Sequence, residues 1–295
     1  MISFPKYYVV IGASPGVGFE ITRQLLLAHP QNIVFATYRS FETPQALYDL
    51  AKALKDPSKL RILKCDFTNE QTVKDLCNIP QLMGQTIEAV IINDGGMDWG
   101  TVIEGTSQSY YHHFQNNTFG PLLAAKYLLL IPSVQISNIA FISNSCGSSS
   151  IRSCIWGLAA YSTSKAALNM GLRHLAVELH RELGSEAPVI LALHTAEIGA
   201  DLGPNPAELT DAQISVRGCL KIIREKGKYG IDEGGKSSAW AMGVIEDPET
   251  ATLWAWNGLR HPWRELLCIV WGLGETCYIG WAVFDIRRWA WIVLY

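Results

Sequence analysis

A tyrosine and a lysine four residues apart could carry out acid chemistry in this chain, and a glycine-rich segment could hold a phosphate group. Tyr161 and Lys165 share one face of a predicted helix, because residues at i and i+4 are neighbours on a helix surface. The ammonium group would stabilise the phenolate form of a phenol whose ordinary pKa is about 10. The same spacing recurs at Tyr48 and Lys52, but that copy lies far from the glycines in the expected fold, and we interpret it as helix surface.

The glycine-rich segment lies between a predicted strand and a predicted helix, where it would form a phosphate cradle. Its glycines follow the pattern G-x-x-x-G-x-G. Glycine allows a tight turn and a close approach of a pyrophosphate to the backbone, and the following helix presents free N–H groups and the positive end of its dipole. The residues predicted to bind the cofactor there are Gly12, Ser14, Gly16, Val17 and Gly18.

The end of the second predicted strand indicates which nicotinamide cofactor the cradle would hold. An enzyme that prefers NAD usually has a carboxylate at this point to bind the ribose hydroxyls, and the segment Phe35–Arg39 has none. Arg39 could instead pair with a 2′-phosphate, so the sequence favours NADPH. Asp66, after the third predicted strand, could accept a hydrogen bond from the adenine amino group, although an ordinary helix N-cap region explains it almost as well.

Alternation of short apolar runs with longer helical patterns predicts an α/β fold with a doubly wound parallel sheet of Rossmann type. The apolar runs are rich in Val, Ile and Ala, which is typical of strands buried on both faces of a parallel sheet. Ligands of such folds bind at the carboxyl ends of the strands. About seven strands are predicted, near residues 7–11, 32–37, 60–65, 87–92, 137–142, 187–193 and 228–231. Helices are predicted near residues 16–28, 44–54, 70–77, 108–129, 160–183 and 208–226.

With these residues the chain resembles the short-chain dehydrogenase/reductase family over roughly residues 6 to 240. It looks most like the carbonyl-reductase branch, which includes fungal ketoreductases that act on aromatic polyketides. The matching features, in the family's order, are the glycine cradle, Ala36-Thr37-x-Arg39, Asn93–Gly96, Asn117 and Tyr161-x-x-x-Lys165.

The resemblance implies roles for individual residues. Tyr161 would donate a proton to the carbonyl oxygen of the substrate, and Lys165 would lower the pKa of Tyr161 and bind the nicotinamide ribose. Asn117 would kink the fourth helix and hold a water molecule for proton transfer. Asn93 would contribute to cofactor binding, and Ile198 would contact the nicotinamide carboxamide through its backbone.

The family's serine, which orients the substrate carbonyl, has no unambiguous counterpart here. That serine lies three residues before a glycine, which aligns Asn144 with it through Gly147. Side chains alternate across a strand, so Ser143 and Ser145 would point away from Asn144 if the strand continued regularly. We predict Ser145 as the catalytic serine, assuming that the strand ends early. Ser148, or Asn144 with its amide donor, remains the alternative.

Other departures from the family leave a second function open. Thr195-Ala196 stands where the family has Pro-Gly, and Ala200 stands where a threonine touches the cofactor amide. Together with Asn144, these changes are compatible with a catalytically impaired NADP-binding sensor or scaffold. The intact Tyr161 and Lys165 favour the enzyme.

Bulk composition excludes several other classes of protein. Of the 295 residues, 48% are hydrophobic and the net charge is −3, which excludes a disordered chain. No basic run is present, so nucleic acid is not an expected partner. Seven scattered cysteines without a C-x-x-C pair indicate neither a disulfide framework nor a zinc site. Because residues 7–11 already read as a buried strand, no secretion signal is expected, and we predict a cytoplasmic protein.

The sequence changes character after about residue 243. We place a reductase domain at residues 1–243 and a tryptophan-rich tail at residues 244–295, since seven of the ten tryptophans lie between Trp254 and Trp291. Residues 266–284 carry a single charge, Glu275, near their middle. This segment could be a membrane span or surface anchor, a helix packed on the enzyme, or a sequence not under selection.

The sequence therefore predicts an NADPH-dependent reductase that converts a ketone or aldehyde into an alcohol. We expect a small-molecule carbonyl substrate, with an aromatic or polyketide-like compound as the specific hypothesis. The loop 146–157, which carries Trp156, and the segment 200–215 would form the substrate wall and lid. A homo-oligomer is compatible with the sequence, and membrane contact through the tail is possible but not favoured.

Overall fold

A parallel sheet with helices on both faces forms the body of this protein, as predicted. The computed structural model describes residues 5–93, 95–148, 157–195, 206–227, 252–261, 268–273 and 276–281. The strands are β1 (Lys6–Ile11), β2 (Asn32–Tyr38), β3 (Leu60–Lys64), β4 (Thr86–Ile92), β5 (Gln135–Ile136), β6 (Asn138–Ser143), β7 (Val189–His194), β8 (Thr252–Ala255), β9 (Arg260–His261), β10 (Cys268–Leu273) and β11 (Thr276–Trp281).

Seven α-helices are present in the described residues, together with shorter helical turns. The α-helices are α1 (Val17–Ala28), α2 (Gln45–Ala53), α3 (Glu70–Lys74), α4 (Ser107–Phe114), α5 (Gly120–Leu129), α6 (Ala159–Leu183) and α7 (Pro206–Gly227). A π-helical turn, Gln115–Phe119, joins α4 to α5. The 3₁₀ turns are Pro57–Lys59, Asp75–Asn78, Pro80–Leu82, Ser145–Gly147 and Gly184–Glu186.

The strand order places the ends of β1 and β4 side by side. Seven strands run parallel in the order β3-β2-β1-β4-β6-β7-β8, with β9 antiparallel at one edge and the short β5 beside β4. Val9 of β1 lies opposite Phe35 of β2 and Val90 of β4. The order reverses between β1 and β4, which is the point where ligands bind in open α/β sheets. Gly12 and Asn93, which follow these two strands, are therefore neighbours at the carboxyl edge.

Alternate residues of β1 enter two separate cores. Val9 and Ile11 pack in a cluster with α5 and α6, whereas Tyr8 and Val10 pack in a second cluster with α1 and α7. This follows from the alternation of side chains across a strand. Both faces of the strand are buried, which is why its sequence is apolar throughout instead of alternating with polar residues.

Two predicted helices are interrupted in the structure. The helix predicted near residues 108–129 is divided into α4 and α5 by the π-helical turn. The helix predicted near residues 70–77 is α only as far as Lys74 and continues as a 3₁₀ turn. Apolar periodicity does not reveal either change. The α, 3₁₀ and π forms differ in which backbone carbonyl accepts a hydrogen bond from each N–H, and the apolar pattern is nearly the same in all three.

The sheet continues into residues that the sequence analysis assigned to the tail. Strand β8 pairs with β7 in parallel, with Trp254 opposite Leu193, and Trp254 is buried in the core on the α7 side. The strand predicted at residues 228–231 and the predicted boundary at residue 243 lie outside the described residues.

The described part of residues 266–284 forms two strands and not a packed helix, which was one of the three alternatives for this segment. Strands β10 and β11 pair in antiparallel fashion, with Val270 opposite Ile279. Their β-branched and aromatic residues favour a strand. No helix in the described ranges is long and apolar enough to cross a membrane.

Candidate active site

The glycine cradle lies where β1 ends and α1 begins. Gly12 and Gly16 have φ angles of 79° and 115°, a conformation that favours glycine. The N–H of Gly12 donates to Thr37 Oγ1 at 3.1 Å, and the N–H of Ala13 donates to the Thr37 carbonyl at 2.7 Å, so the turn is fixed to the end of β2. Among residues 5–93, no side chain caps the start of α1. The first N–H groups of that helix therefore border the cradle without a side-chain partner.

Gly18 lets α1 approach the cradle closely. A Cβ atom on Gly18 would lie 1.9 Å from the Gly12 carbonyl oxygen and 2.7 Å from Asn93 Nδ2. Asn93 Nδ2 donates to that same carbonyl at 2.9 Å, and the Asn93 N–H donates to the Ile11 carbonyl at 2.9 Å. The cradle, α1 and the end of β4 thus meet at one point, and Asn93 joins them.

Arg39 and Asp66 lie at the same edge of the sheet, after β2 and β3. Arg39 is exposed directly beyond the last residue of β2. Asp66 Oδ1 accepts hydrogen bonds from the N–H of Thr68 at 2.9 Å and from its hydroxyl at 2.7 Å. One carboxylate oxygen of Asp66 therefore stabilises its own turn, whereas the N-cap of α3 is Asn69. The contact of Asp66 with adenine stays a prediction.

Tyr161 and Lys165 lie in the first turns of α6, and the lysine is buried. Lys165 is 4% exposed, and its Nζ donates to the Ile142 carbonyl in β6 at 2.9 Å. Nζ lies 5.7 Å from the centre of the Tyr161 ring. The second copy of the motif is on the surface of α2 as predicted, with Tyr48 49% exposed. Burial, not spacing, distinguishes the two copies.

The environment of Tyr161 has opposing effects on its pKa. Burial raises the pKa of the phenol above its ordinary value, and a negative charge on nearby Cys146 raises it further. A hydrogen bond with the Asn144 side chain lowers it. Because burial dominates, the protein alone holds Tyr161 as the neutral phenol, the form that can donate a proton.

Asn117 lies in the π-helical turn and holds the loop that follows β4. Its Oδ1 accepts from the Gly96 N–H at 2.8 Å, and its Nδ2 donates to the Gly96 carbonyl and to Ser164 Oγ, each at 2.9 Å. A Cβ atom on Gly95 would lie 2.7 Å from Asn117 Oδ1 and 3.6 Å from Lys165 Nζ. The glycine at position 95 thus makes room for this asparagine. The π-helical turn lies between α4 and α5. The kink and the water that the resemblance implies stay predictions.

Ser164 and His113 support the site and were not predicted from the sequence. Ser164 Oγ, the partner of Asn117, donates to the Tyr161 carbonyl at 2.6 Å. His113 is fully buried, its Nε2 accepts from the Asp98 N–H at 3.1 Å, and its ring centre lies 6.4 Å from that of Tyr161. His113 Nδ1 lies 2.8 Å from the Ser109 carbonyl, so each ring nitrogen faces a backbone group. The only sequence signal was a pair of adjacent histidines in a predicted helix.

A tryptophan on the loop after β4 lies beside the start of α6. The N–H of Gly100 donates to the Gly157 carbonyl at 2.6 Å, and the N–H of Ala159 donates to the Gly100 carbonyl at 3.2 Å. The Trp99 ring packs on Gly157, where an added Cβ atom would lie 2.8 Å from the ring. The Trp99 side chain is nevertheless 68% exposed. An exposed aromatic side chain therefore packs on Gly157, four residues before Tyr161 and just before α6 begins.

Asn144 and the predicted Ser145 directly follow β6. The Asn144 side chain lowers the pKa of Tyr161, and its Oδ1 accepts from the Cys146 N–H at 2.9 Å. Ser145 Oγ lies 3.4 Å from Asn144 Oδ1. Ser143 points to the other side, as side-chain alternation predicted, and donates to Asn169 Oδ1 at 2.6 Å. Strand β6 ends at Ser143 and the 3₁₀ turn begins at Ser145, as the prediction of Ser145 assumed. The assignment of Ser145 as the catalytic serine, with Asn144 or Ser148 as the alternative, stays a prediction.

Several predicted residues lie outside the described part of the chain. They are Trp156, Ala196, Ile198 and Ala200. Most of the predicted substrate loop 146–157 and residues 200–205 of the predicted lid also lie outside the described part. Groups of three or more His, Cys, Asp or Glu that could bind a metal are absent from the described residues.

Comparisons with known proteins identify the family of this chain. The family model described as short chain dehydrogenase matches residues 6–183. An uncharacterized oxidoreductase of Schizosaccharomyces pombe is 25% identical over 206 residues, which cover 67% of this chain and 75% of that protein. An uncharacterized oxidoreductase of Saccharomyces cerevisiae is 29% identical over 208 residues, which cover 66% of this chain and 76% of that protein.

A solved structure shows the same fold. The NADPH-bound carbonyl reductase from chicken fatty liver superimposes with a TM-score of 0.66 at 22% identity, over 88% of this chain and 95% of that one. At this identity the similarity concerns the fold alone. Because the family model matches more than half of the sequence, the chain belongs to the short-chain dehydrogenase/reductase family of oxidoreductases, as its motifs predicted.

Proposed function

We propose that this protein uses NADPH to reduce a ketone or an aldehyde to an alcohol. The observation that carries the proposal is the buried Lys165 amine, which lies one helical turn from Tyr161 and 5.7 Å from the centre of its ring. Lys165 borders Gly95, and the same loop reaches the cradle through Asn93. A proton donor and a phosphate-binding turn thus lie at one edge of the sheet, as a nucleotide-dependent reductase requires.

The residues present fit a dinucleotide cofactor. Gly18, which has no Cβ, lets α1 pack against the cradle, and the start of α1 offers N–H groups to a pyrophosphate. Arg39 would bind a 2′-phosphate, Asp66 would face the adenine, and Lys165 would hold the nicotinamide ribose. When bound, the reduced nicotinamide would supply the hydride. The carbonyl reductase from chicken fatty liver, which shares the fold, binds NADPH.

The chain's own residues would supply the proton. Tyr161 would donate its phenolic proton to the carbonyl oxygen, and the positive charge of Lys165 would stabilise the resulting phenolate. Asn117 would act by holding the loop at Gly96 and the first turn of α6 through Ser164. We expect this arrangement to make general acid catalysis possible near neutral pH.

Consumption of NADPH with a panel of carbonyl compounds tests this function. Purified protein is mixed with NADPH and with quinones, aromatic ketones or aldehydes, and the loss of reduced-nicotinamide absorbance is followed. We expect turnover with at least one class. Binding of NADPH without turnover of any compound would contradict the enzyme and support the alternative of a nucleotide-binding sensor or scaffold.

Arg39→Ala is expected to weaken the preference for NADPH. Hydrogen bonds to charged groups are worth about 1.5–3 kcal/mol, so the KM for NADPH should rise roughly 10- to 100-fold. The KM for NADH should change little, because NADH has no 2′-phosphate. Steady-state kinetics with both cofactors measures the effect, and Arg61→Ala, an exposed arginine in β3, is the matched control. Equal changes in KM for NADPH and NADH would show that Arg39 does not bind the 2′-phosphate.

We also propose an aromatic or polyketide-type substrate, and Trp99 supports this choice. An aromatic pair contributes about 0.5–1.5 kcal/mol beyond burial, so Trp99→Ala should raise the KM for aromatic ketones roughly 2- to 10-fold. The KM for small aliphatic aldehydes should change less. Tyr48→Ala removes another exposed aromatic side chain, which lies on α2, and serves as the control. An identical effect of Trp99→Ala on both substrate classes would contradict the aromatic contact.

A further inference from the structure

A groove between α1 and α7 lies at the amino ends of the strands, opposite the edge that carries the glycine cradle. Its volume is about 870 Å³, within the usual range of small-molecule sites. Residues of β1, β2, β4 and β6 form its floor, and the two helices form its walls. Beside it, Gln24 Nε2 of α1 donates to the Gln213 carbonyl of α7 at 2.9 Å, so the helices are joined there. Among the described residues that line this groove, none belongs to the candidate active site.

Positive charge is in excess along this groove. The residues that line it include four cations and one carboxylate, which are Lys6, Arg23, Arg217, Arg224 and Glu88. Lys6 Nζ lies 3.0 Å from Glu88 Oε1. Arg23 Nε lies 2.7 Å from Glu20 Oε2 of α1. Within the described ranges, Arg217 and Arg224 form no ion pair with a carboxylate, so the groove offers positive charge to a ligand.

Arg224 and Tyr8 are the two side chains of the groove best suited to bind an anion. Arg224 Nε donates to the Leu220 carbonyl at 3.2 Å, which anchors the guanidinium to α7. An arginine has two NH₂ groups besides Nε, and these can bind a carboxylate. Tyr8 is 7% exposed, and its hydroxyl has no hydrogen-bond partner in the part of the chain that the structure describes. A buried polar group without a partner is uncommon in folded proteins, and a ligand that accepts from the hydroxyl would provide one.

The Tyr8 hydroxyl keeps its proton at neutral pH. The pKa of Tyr8 is raised to about 12, first by burial and then by the negative charge of Glu88, whereas the positive charge of Arg224 opposes this rise. Because the phenol stays protonated, it can donate a hydrogen bond to an anion that lies in the groove.

The remaining surface of the groove is largely apolar. Leu25 of α1 and Leu220 and Ile223 of α7 line it and are 5%, 9% and 5% exposed. Ala89 and Ile91 of β4 contribute to the floor. A hydrocarbon chain in the groove would remove this apolar surface from water. The groove therefore favours a ligand that has an apolar body and a negatively charged end.

We propose that this groove is a binding site for an organic carboxylate with an apolar chain. The carboxylate accepts from Tyr8 Oη and from the guanidinium of Arg224, whose planar N–H groups match the two carboxylate oxygens. The chain lies between α1 and α7 against Leu25 and Ile223. This inference does not rest on the proposed reductase function, because the groove and the candidate active site are at opposite ends of the strands.

Calorimetric titration with decanoate, with and without NADPH, tests the site. We expect one decanoate to bind per chain with the same Kd in both titrations. Decanol, which has the chain but no charge, should bind at least roughly 10-fold more weakly, because hydrogen bonds to a charged group are lost. Binding of decanoate that NADPH abolishes would place the ligand in the cofactor site and overturn the inference. Absence of decanoate binding, or equal affinities for decanoate and decanol, would also overturn it.

Two variants and a matched control locate the carboxylate. Arg224→Gln removes the charge and should raise the Kd for decanoate roughly 10- to 100-fold, and Tyr8→Phe should raise it roughly 10-fold. Lys221→Gln removes another cation of α7, which lies outside the groove 3.7 Å from Glu225 Oε1, and should leave the Kd unchanged. An equal effect of Lys221→Gln and Arg224→Gln would contradict the site. Circular dichroism verifies the fold, and if Tyr8→Phe does not fold, Arg224→Gln carries the test.

A spectroscopic signal reports directly on the groove. The protein is labelled with ¹³C at tyrosine Cζ, and Tyr8→Phe assigns the Tyr8 resonance. Decanoate should shift this resonance, because the hydroxyl gains a hydrogen-bond acceptor. The resonance of Tyr48, which is exposed on α2, should not move. If decanoate binds while the Tyr8 resonance stays in place, the carboxylate is not in this groove and the inference is wrong.

Discussion

Tyr161→Phe is expected to lower kcat for carbonyl reduction by about 10²- to 10⁴-fold, the usual contribution of a general acid. Phenylalanine keeps the ring that packs near His113 but removes the only proton that the residue can give to the substrate. The affinity for NADPH should change little, because Lys165 and the glycine cradle remain. NADPH consumption gives kcat, and fluorescence titration with NADPH gives the dissociation constant.

The chain contains a matched control for this variant. Tyr48→Phe changes the same residue type in the same Tyr-x-x-x-Lys spacing, where Lys52 Nζ lies 4.3 Å from the ring centre on the exposed surface of α2. It should leave kcat and cofactor affinity unchanged. A similar small effect of both variants on every substrate would show that Tyr161 is not the proton donor.

Gly18→Ala is expected to abolish NADPH binding and to lower the free energy of unfolding. The added Cβ atom would lie 1.9 Å from the Gly12 carbonyl oxygen, a backbone atom that cannot rotate away. Either α1 or the cradle must move, and overpacking of this kind costs about 1–3 kcal/mol or more. The Asn93–Gly12 hydrogen bond at 2.9 Å would be disturbed at the same time. Thermal denaturation measures the stability, and NADPH titration measures the binding.

Gly100→Ala provides the comparison for this second variant. A Cβ atom on Gly100 has no neighbour within 4 Å among the described contacts, so the substitution should leave NADPH affinity and stability near the wild-type values. If Gly18→Ala bound NADPH as tightly as Gly100→Ala does, the cradle would not be the pyrophosphate site.

Local sequence patterns were sufficient to predict most of the sheet and the cradle. Strands β1 to β4, β6 and β7 lie where apolar runs predicted them, because buried parallel strands are apolar along their whole length. The cradle followed from glycines between a strand and a helix, a short-range signal. Strand β8 was not predicted, because its four residues lie in a tryptophan-rich segment in which apolar and polar residues do not alternate as in a strand. Its place beside β7 depends on long-range pairing.

The parts of the site that could not be predicted depend on tertiary contacts. The π-helical turn at Asn117 is stabilised by bonds to Gly96 and Ser164, which are distant in sequence. The turn after β6 is held against α6 by Gly147, where an added Cβ atom would lie 2.8 Å from the Lys165 backbone. No rule of spacing contains these contacts. Ser145 stays the predicted catalytic serine.

Transfer of deuterium from the cofactor to a product is the most direct test of the proposed reaction. The protein is incubated with the best carbonyl substrate and with NADPH deuterated at nicotinamide C4, on either face in separate samples, and the alcohol is examined by mass spectrometry. We predict that one of the two samples places deuterium on the carbinol carbon and that Tyr161→Phe yields almost no labelled alcohol. If NADPH binds but neither sample labels any product across the panel, the protein is not a carbonyl reductase.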